Sequence, residues 1–299
     1  MAGQLAHLLT PIRIGDKESK NRMVLCPMER NYANRDGTVS TRTTDHYGAI
    51  AAVGVGWLDV EATFVDPAGR GRTHQLGLDD DACIPGFSQL ASRVHEDGAL
   101  IGVELIHAGR NTSTARSGYE VVAPSPVPCY EAGGDLPWEL TVEEIDAIVL
   151  RYASAARRAE AAGFDVVELH SAHGYLPFAF LSARTNLRGD DYGGPLESRM
   201  RCPLRVIDAM RAAVSESMII GARFSSEELV PGGFTLEEAV DYAKALEAHG
   251  AQYLSISVGV YESGGSIVPS MAVPAGWLLP RAAAIKAALT FPLFAPADL

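Results

Sequence analysis

Short, nearly continuous apolar runs alternate along the chain with longer stretches of helical periodicity. The runs at 23–27, 56–62, 100–105, 165–170, 218–224, 252–257 and 291–295 are bounded by Gly, Pro, Asp or His. Strands buried on both faces have this appearance. Between them, Thr141 with Glu144 has the spacing of a capping box, and apolar residues at helical period run to Ala162 before Gly163. Thr235 with Glu238 repeats the device, with a helix expected to His249 and Gly250 as its stop. Residues 86–97 and the Ala-rich stretch 280–289 read as two further helices. Strand and helix in alternation imply parallel strands joined by right-handed crossovers.

Two α/β architectures fit that alternation. An open doubly wound sheet carries a Gly-rich turn after its first strand. Here that position reads Cys26-Pro27-Met28-Glu29, and the Gly-Val-Gly at Gly54 to Gly56 precedes a strand instead of following one. The pattern therefore favours a (β/α)8 TIM barrel. Seven strands are legible, and only four residues follow the seventh. The expectation is one barrel domain over 1–299 that lacks its eighth βα unit in this chain, truncated at its C-terminal end. The open first and seventh strands would be a pairing hazard.

Composition narrows the function classes. Lys and Arg number 25 against 37 Asp and Glu, a net charge of −12 that opposes non-specific binding to nucleic acid or anionic lipid. An apolar share of 47% and a charged share of 21% exclude a disordered chain. The longest apolar run, 49–58, is too short to cross a bilayer, and the N-terminus lacks a basic start followed by an apolar core. Cys26, Cys83, Cys129 and Cys202 lie far apart, which argues against a disulfide framework, a structural zinc or an iron–sulfur site within these residues. A cytoplasmic protein is expected. Homo-oligomerisation stays open.

In such barrels the chemistry gathers at the carboxyl ends of the strands. The fourth end is the densest: Glu168, His170, His173 and Tyr175. Imidazoles and a phenol can polarise a carbonyl and deliver a proton. The bland alternatives are a metal site, weak because H-x-x-H lacks a third ligand, and core histidines with satisfied hydrogen bonds. Arg223 lies in the run MIIGARF and must be paired if buried, with Glu104 or Glu168 or with an anionic ligand. Arg188, Asp191, Tyr192 and Arg199 read as a structural network in the loop after the fourth strand, and Trp57, Trp138 and Trp277 as packing residues.

The stretches PIRIGDKESKNRMVLCPM, DPAGRGRTHQLGL, GVELIHAGR, AGFDVVELHSAHGYLPFAFLS, NLRGDDYGGPLESRMR and ARFSSEELVPGGFT give the chain a family likeness. It resembles the Old Yellow Enzyme flavoproteins, and within them the branch of 2,4-dienoyl-CoA reductase and trimethylamine dehydrogenase. The resemblance implies FMN at the barrel mouth, with Pro27, Met28 and Ala62 lining the ring. Arg223 matches the arginine at its N1/O2 edge, where positive charge favours the reduced anion. His170 and His173 match the pair that hydrogen-bonds an activated carbonyl or another anionic ligand, and Tyr175 matches the proton donor. The implied reaction takes hydride from NADH or NADPH through the flavin to the β-carbon of an enone or enoyl thioester, a small unsaturated carbonyl.

Departures accompany the likeness. Glu104 stands where many members place a glutamine against the flavin pyrimidine. Glu29 stands where relatives carry a Thr or Cys, so a covalent flavin link there is not available. Ala62 and His170 replace an aromatic and a tyrosine of the amine-oxidising branch, which favours ene reduction. A flavin amine dehydrogenase or demethylase is the first alternative, and a non-catalytic barrel binding a partner through its open strands the second. Pro296 and Ala297 occupy the stretch where the family has a glycine-arginine at the FMN phosphate. An iron–sulfur cluster is expected only if the chain continues past Leu299.

Overall fold

A computed structural model describes residues 6–295. Seven parallel strands form one sheet: β1 (Val24–Leu25), β2 (Trp57–Phe64), β3 (Leu100–Ile106), β4 (Val166–Ser171), β5 (Ile219–Ser225), β6 (Tyr253–Ser257) and β7 (Leu293–Phe294). Each pairs with its neighbour in chain order, the signature of successive right-handed βα units. The sheet curls strongly. Trp57 on β2 and Phe294 on β7 meet edge to face with ring centroids 5.1 Å apart. Five strand spacings on a flat sheet would separate them by about 24 Å.

Trp57, Val166, Ile219 and Tyr253 fill the inside of the curl at its amino end. Ile14, from a small hairpin of Ile12–Ile14 and Lys17–Ser19, plugs that end from below. The outward faces of the strands are also buried, which is why the sequence runs are continuously apolar. Val103, Leu169, Ile220 and Leu254 belong to one large core with Phe87, Tyr152, Ile207 and Tyr242 of the surrounding helices.

Those helices are α1 (Thr41–Ala52), α2 (Ile84–His95), α3 (Val142–Ala161), α4 (Leu176–Leu181), α5 (Leu196–Ala213), α6 (Leu236–Ala248) and α7 (Leu279–Lys286). Both expected capping boxes are present, Thr141 with Glu144 and Thr235 with Glu238. α2 begins ahead of the expected 86–97 because Pro85 occupies its first turn. Sequence periodicity did not find α1 or α5. α1 buries Thr43, Tyr47, Gly48 and Ala51, a stripe too small and polar to register as apolar. α5 carries Pro203 in its interior and an arginine-rich exposed face. Strand ends shift too: β1 stops short of Pro27, and β2 continues past Ala62 through a register shift between Val60 and Thr63. Trp138 does not pack as expected; it is 65% exposed in a two-strand pairing of Val122–Ala123 with Trp138–Glu139. Among the described residues no helix is long and apolar enough to cross a membrane, and the four cysteines are free. Pro296, Ala297 and Leu299 lie outside the described residues.

Candidate active site

At the carboxyl ends of the strands lies a cavity of about 550 Å³. Its walls include Pro27, Met28 and Glu29 after β1, Ala62 on β2, Glu104 on β3, His170, His173 and Tyr175 at and after β4, and Arg223 on β5. All the residues singled out from the sequence for cofactor binding or catalysis therefore converge on one site. The volume is in the range of small-molecule sites.

The β4 end is held tightly. The His170 Nδ1 accepts from the Ala172 amide at 3.2 Å, which leaves the hydrogen on Nε2. That Nε2 lies 3.6 Å from Glu104 Oε1. His173 is in the left-handed region at φ 59°, a conformation costly outside glycine and common at functional sites. Several partners over-determine it. Its amide donates to Ser225 Oγ at 3.0 Å, its carbonyl accepts from Asn111 Nδ2 at 2.9 Å, and its Nε2 lies 2.7 Å from Ser257 Oγ. Gly174 follows at φ 86°, where an added Cβ would press on Asn111 at 3.2 Å. Tyr175 then starts α4, its ring 4.6 Å centroid to centroid from that of His170. Burial drives both imidazoles well below their ordinary range, and the Arg223 charge adds to this. Each is thus a neutral ring with one N–H at pH 7.

Arg223 is the cation of the site. Its Nη1 donates to the Pro27 carbonyl at 3.0 Å and lies 3.6 Å from Glu104 Oε1, while its buried Nε has no hydrogen-bond partner. The sequence left a carboxylate and a ligand as alternative partners; the side chain faces both a carboxyl group and the cavity. Strand register explains the crowding: His170 is level with Arg223, Glu104 with Glu168, and Asp59 with Gly102. A Cβ on Gly102 would collide with Asp59 Oδ1, so glycine makes room for the carboxyl. Burial raises Glu104 and Asp59 well above the carboxylate range, against the pull of Arg223. Desolvation works to lower Arg223, and the facing Glu104 and Glu168 outweigh it, so its net shift is upward.

Several side chains of the site were not found from the sequence. Arg72 and Tyr261 line the cavity, and Asp59 lies beneath it. Arg72 Nε lies 3.1 Å from Glu29 Oε2, its Nη2 donates to the Tyr261 hydroxyl at 2.8 Å, and that hydroxyl is 2.9 Å from the hydroxyl of Tyr175. Tyr261 follows the end of β6, so strand-end position was the available signal; Arg72 stands two residues from Arg70 in a loop with no such signal. Glu61, at a strand end in the sequence, turns away to accept from the amides of Arg30 and Asn31. Arg188 is structural, donating to the Pro124 and Leu140 carbonyls and pairing with Asp190 at 2.5 Å. Arg199 likewise bonds the Leu181 carbonyl and Glu238.

Comparison with known proteins gives a consistent result. The NADH oxidase of Thermoanaerobacter brockii is 45% identical over 289 residues, 96% of this chain and 44% of that protein. The NADPH dehydrogenase of Geobacillus thermodenitrificans is 38% identical over 280 residues, 93% of this chain and 81% of that one. A solved structure of 2-naphthoyl-CoA reductase with 2-naphthoyl-CoA superposes with a TM-score of 0.93 at 29% identity, covering 97% of this chain and 46% of the reductase. The chain thus spans less than half the length of the first of these relatives. The sequence profile of the NADH:flavin oxidoreductase / NADH oxidase family matches residues 7–264, and the chain belongs to that family.

Proposed function

We propose that this chain is the FMN-binding catalytic barrel of an NAD(P)H-dependent reductase of activated carbon–carbon double bonds. The observation that carries the reading is the convergence of Arg223, Glu104, His170, His173 and Tyr175 on one cavity. FMN fits the groups present. A planar ring finds apolar walls in Pro27, Met28 and Ala62, and the unpartnered Arg223 Nε and Glu104 Oε1 offer hydrogen bonds to an imide edge. When bound, FMN supplies hydride transfer between a nicotinamide and the alkene.

The chain's own residues do the rest. Arg223 places positive charge where a reduced ring carries negative charge. His170 and His173, neutral, present N–H donors to the carbonyl oxygen of an enone or enoyl thioester, where negative charge grows as the β-carbon is reduced. Tyr175, 5% exposed, holds its phenolic proton for the α-carbon. Ala62 leaves space where the amine-oxidising branch has an aromatic. Four free, dispersed cysteines support a reducing, cytoplasmic setting.

The test is spectroscopic. With FMN added, the protein should turn yellow, bleach with NADH or NADPH, and recover colour with 2-cyclohexen-1-one. Tyr175→Phe should slow that recovery by about 10²–10⁴-fold, the usual worth of a general acid, and spare the bleaching. A protein that stays colourless with FMN sinks the reading. Equal loss of both phases removes the role given to Tyr175.

A further inference from the structure

The Tyr175 hydroxyl is buried, yet the proposed reaction consumes its proton at every turnover. We propose that Glu29, Arg72 and Tyr261 form a relay that returns the proton of the Tyr175 hydroxyl from solvent. This inference rests on the proposed ene reduction.

Hydrogen-bond polarity carries the argument. A guanidinium donates and never accepts, so the 2.8 Å contact makes the Tyr261 oxygen an acceptor from Arg72. The Tyr261 and Tyr175 hydroxyls share the 2.9 Å contact, and either oxygen can donate in it. Once Tyr175 has given up its proton it can only accept there, and the Tyr261 hydrogen is the one in line to replace it. Arg72 is itself held in place from three sides. Glu29 Oε2 lies at 3.1 Å from its Nε, its amide donates to Gln75 Oε1 at 3.2 Å, and its Nη1 donates to the Gly71 carbonyl at 3.0 Å. Burial contrasts complete the path. Tyr175 is 5% exposed, whereas Tyr261 is half-buried on the cavity wall and reaches toward water.

The steps balance. The Tyr175 O–H bond breaks as a C–H bond forms at the α-carbon, and the electron pair stays on the Tyr175 oxygen. The Tyr261 proton moves to that oxygen. The phenolate now on Tyr261 faces the Arg72 guanidinium until a water molecule protonates it. Arg72 and Glu29 change no protonation state; they are positioning residues. Other titratable groups around the tyrosine pair include His170 and His173 at the end of β4, both neutral, Arg116, which acts on Glu29, Glu131 on the cavity wall, and Glu262, which follows Tyr261 and pairs with Arg110 at 2.6 Å.

The experiment separates supply of the proton from its delivery. Tyr261→Phe with FMN, NADPH and 2-cyclohexen-1-one should keep flavin bleaching and the first reoxidation within about threefold. Steady-state turnover should fall by at least about tenfold and recover with imidazole buffer as a diffusible proton carrier. Unchanged steady-state turnover, or loss of the first reoxidation along with it, overturns the relay. A second readout needs no flavin. In protein carrying 3-fluorotyrosine, Arg72→Gln should move the titration of the Tyr175 ring to higher pH, because a cation that favours its phenolate is gone. An unmoved titration overturns the relay even in a protein that binds no FMN, whereas colourless protein with a shifted titration counts against the ene-reductase reading alone.

Discussion

Glu168 lies on β4 with both carboxyl oxygens buried and unpartnered. Burial lifts it from 4.5 to about 7, with Arg223 pulling the other way. The folded state therefore binds this proton more tightly than the unfolded state does. The contribution to stability is complete below the unfolded value of 4.5 and is lost as the pH rises to about 7. Glu104 and Asp59 are raised by the same burial and act with the same sign. Glu168→Gln keeps the shape and removes the titration. It should flatten stability over that window and leave the variant more stable than the parent above it, by an amount on the order of 3 kcal/mol. Urea unfolding at about pH 5 and about pH 8 decides this, and parallel curves for the two proteins would show that Glu168 is ionised at no such cost. At this scale, the legible site residues were those crowded within a few positions at one strand end, such as His170, His173 and Tyr175. Arg72 and Tyr261 are 189 positions apart and meet only because β2 and β6 open onto the same mouth. No local pattern encodes that contact.

At the level of elements, the amino end of the barrel is tied together by one carboxylate. Asp165, just before β4, accepts from Lys17 of the basal hairpin at 2.7 Å and from the Ile101 amide of β3 at 3.0 Å, and its Oδ2 is 2.8 Å from His95 Nε2 on α2. Desolvation works to raise it, and these hydrogen bonds outweigh that and hold it below its usual 3.8. The associated stability is present above pH 3.8 and lost as the pH falls through the lower folded value. Asp165→Asn should cost about 1–3 kcal/mol near neutral pH, the worth of charge-assisted bonds at a mostly buried acceptor. The loss should shrink as the pH falls through the lowered value of the folded carboxylate, where the parent becomes protonated as well. A pH-independent loss in chemical denaturation would mean that shape, not charge, is what Asp165 supplies. Elements were legible to the extent that their buried face was apolar. The five central strands could be read because both faces are covered, the half-buried outer two from their short apolar runs, and α3 and α6 because capping boxes announce them. α1 was missed because its buried face is Thr43, Tyr47, Gly48 and Ala51, where close approach replaces apolar bulk. The eighth strand is a different matter, since Pro296 to Leu299 lie outside the described residues.

On the scale of the whole molecule, the cavity gathers residues carried by or following six strands, β1 to β6, and none of its polar walls belongs to a single local segment. A ligand that bonds Arg223, Glu104 and the apolar walls together therefore links strand ends that are otherwise joined only through the sheet. Such a ligand stabilises the folded state by mass action, by about 2.7 kcal/mol at a concentration of 100 times its dissociation constant. For a chain of this size that corresponds to a rise in melting temperature of roughly 5 °C. FMN should produce that rise by calorimetry. Adenosine monophosphate, which brings a phosphate and a heterocycle without an imide edge, should not. Glu104→Gln supplies the internal control, because burial favours the neutral form of the Glu104 carboxyl and the amide is a neutral group of the same shape. The FMN-dependent rise should survive that change. Its disappearance would mean that an ionised Glu104 recognises the flavin, and that Arg223 balances the carboxylate before it serves the ring.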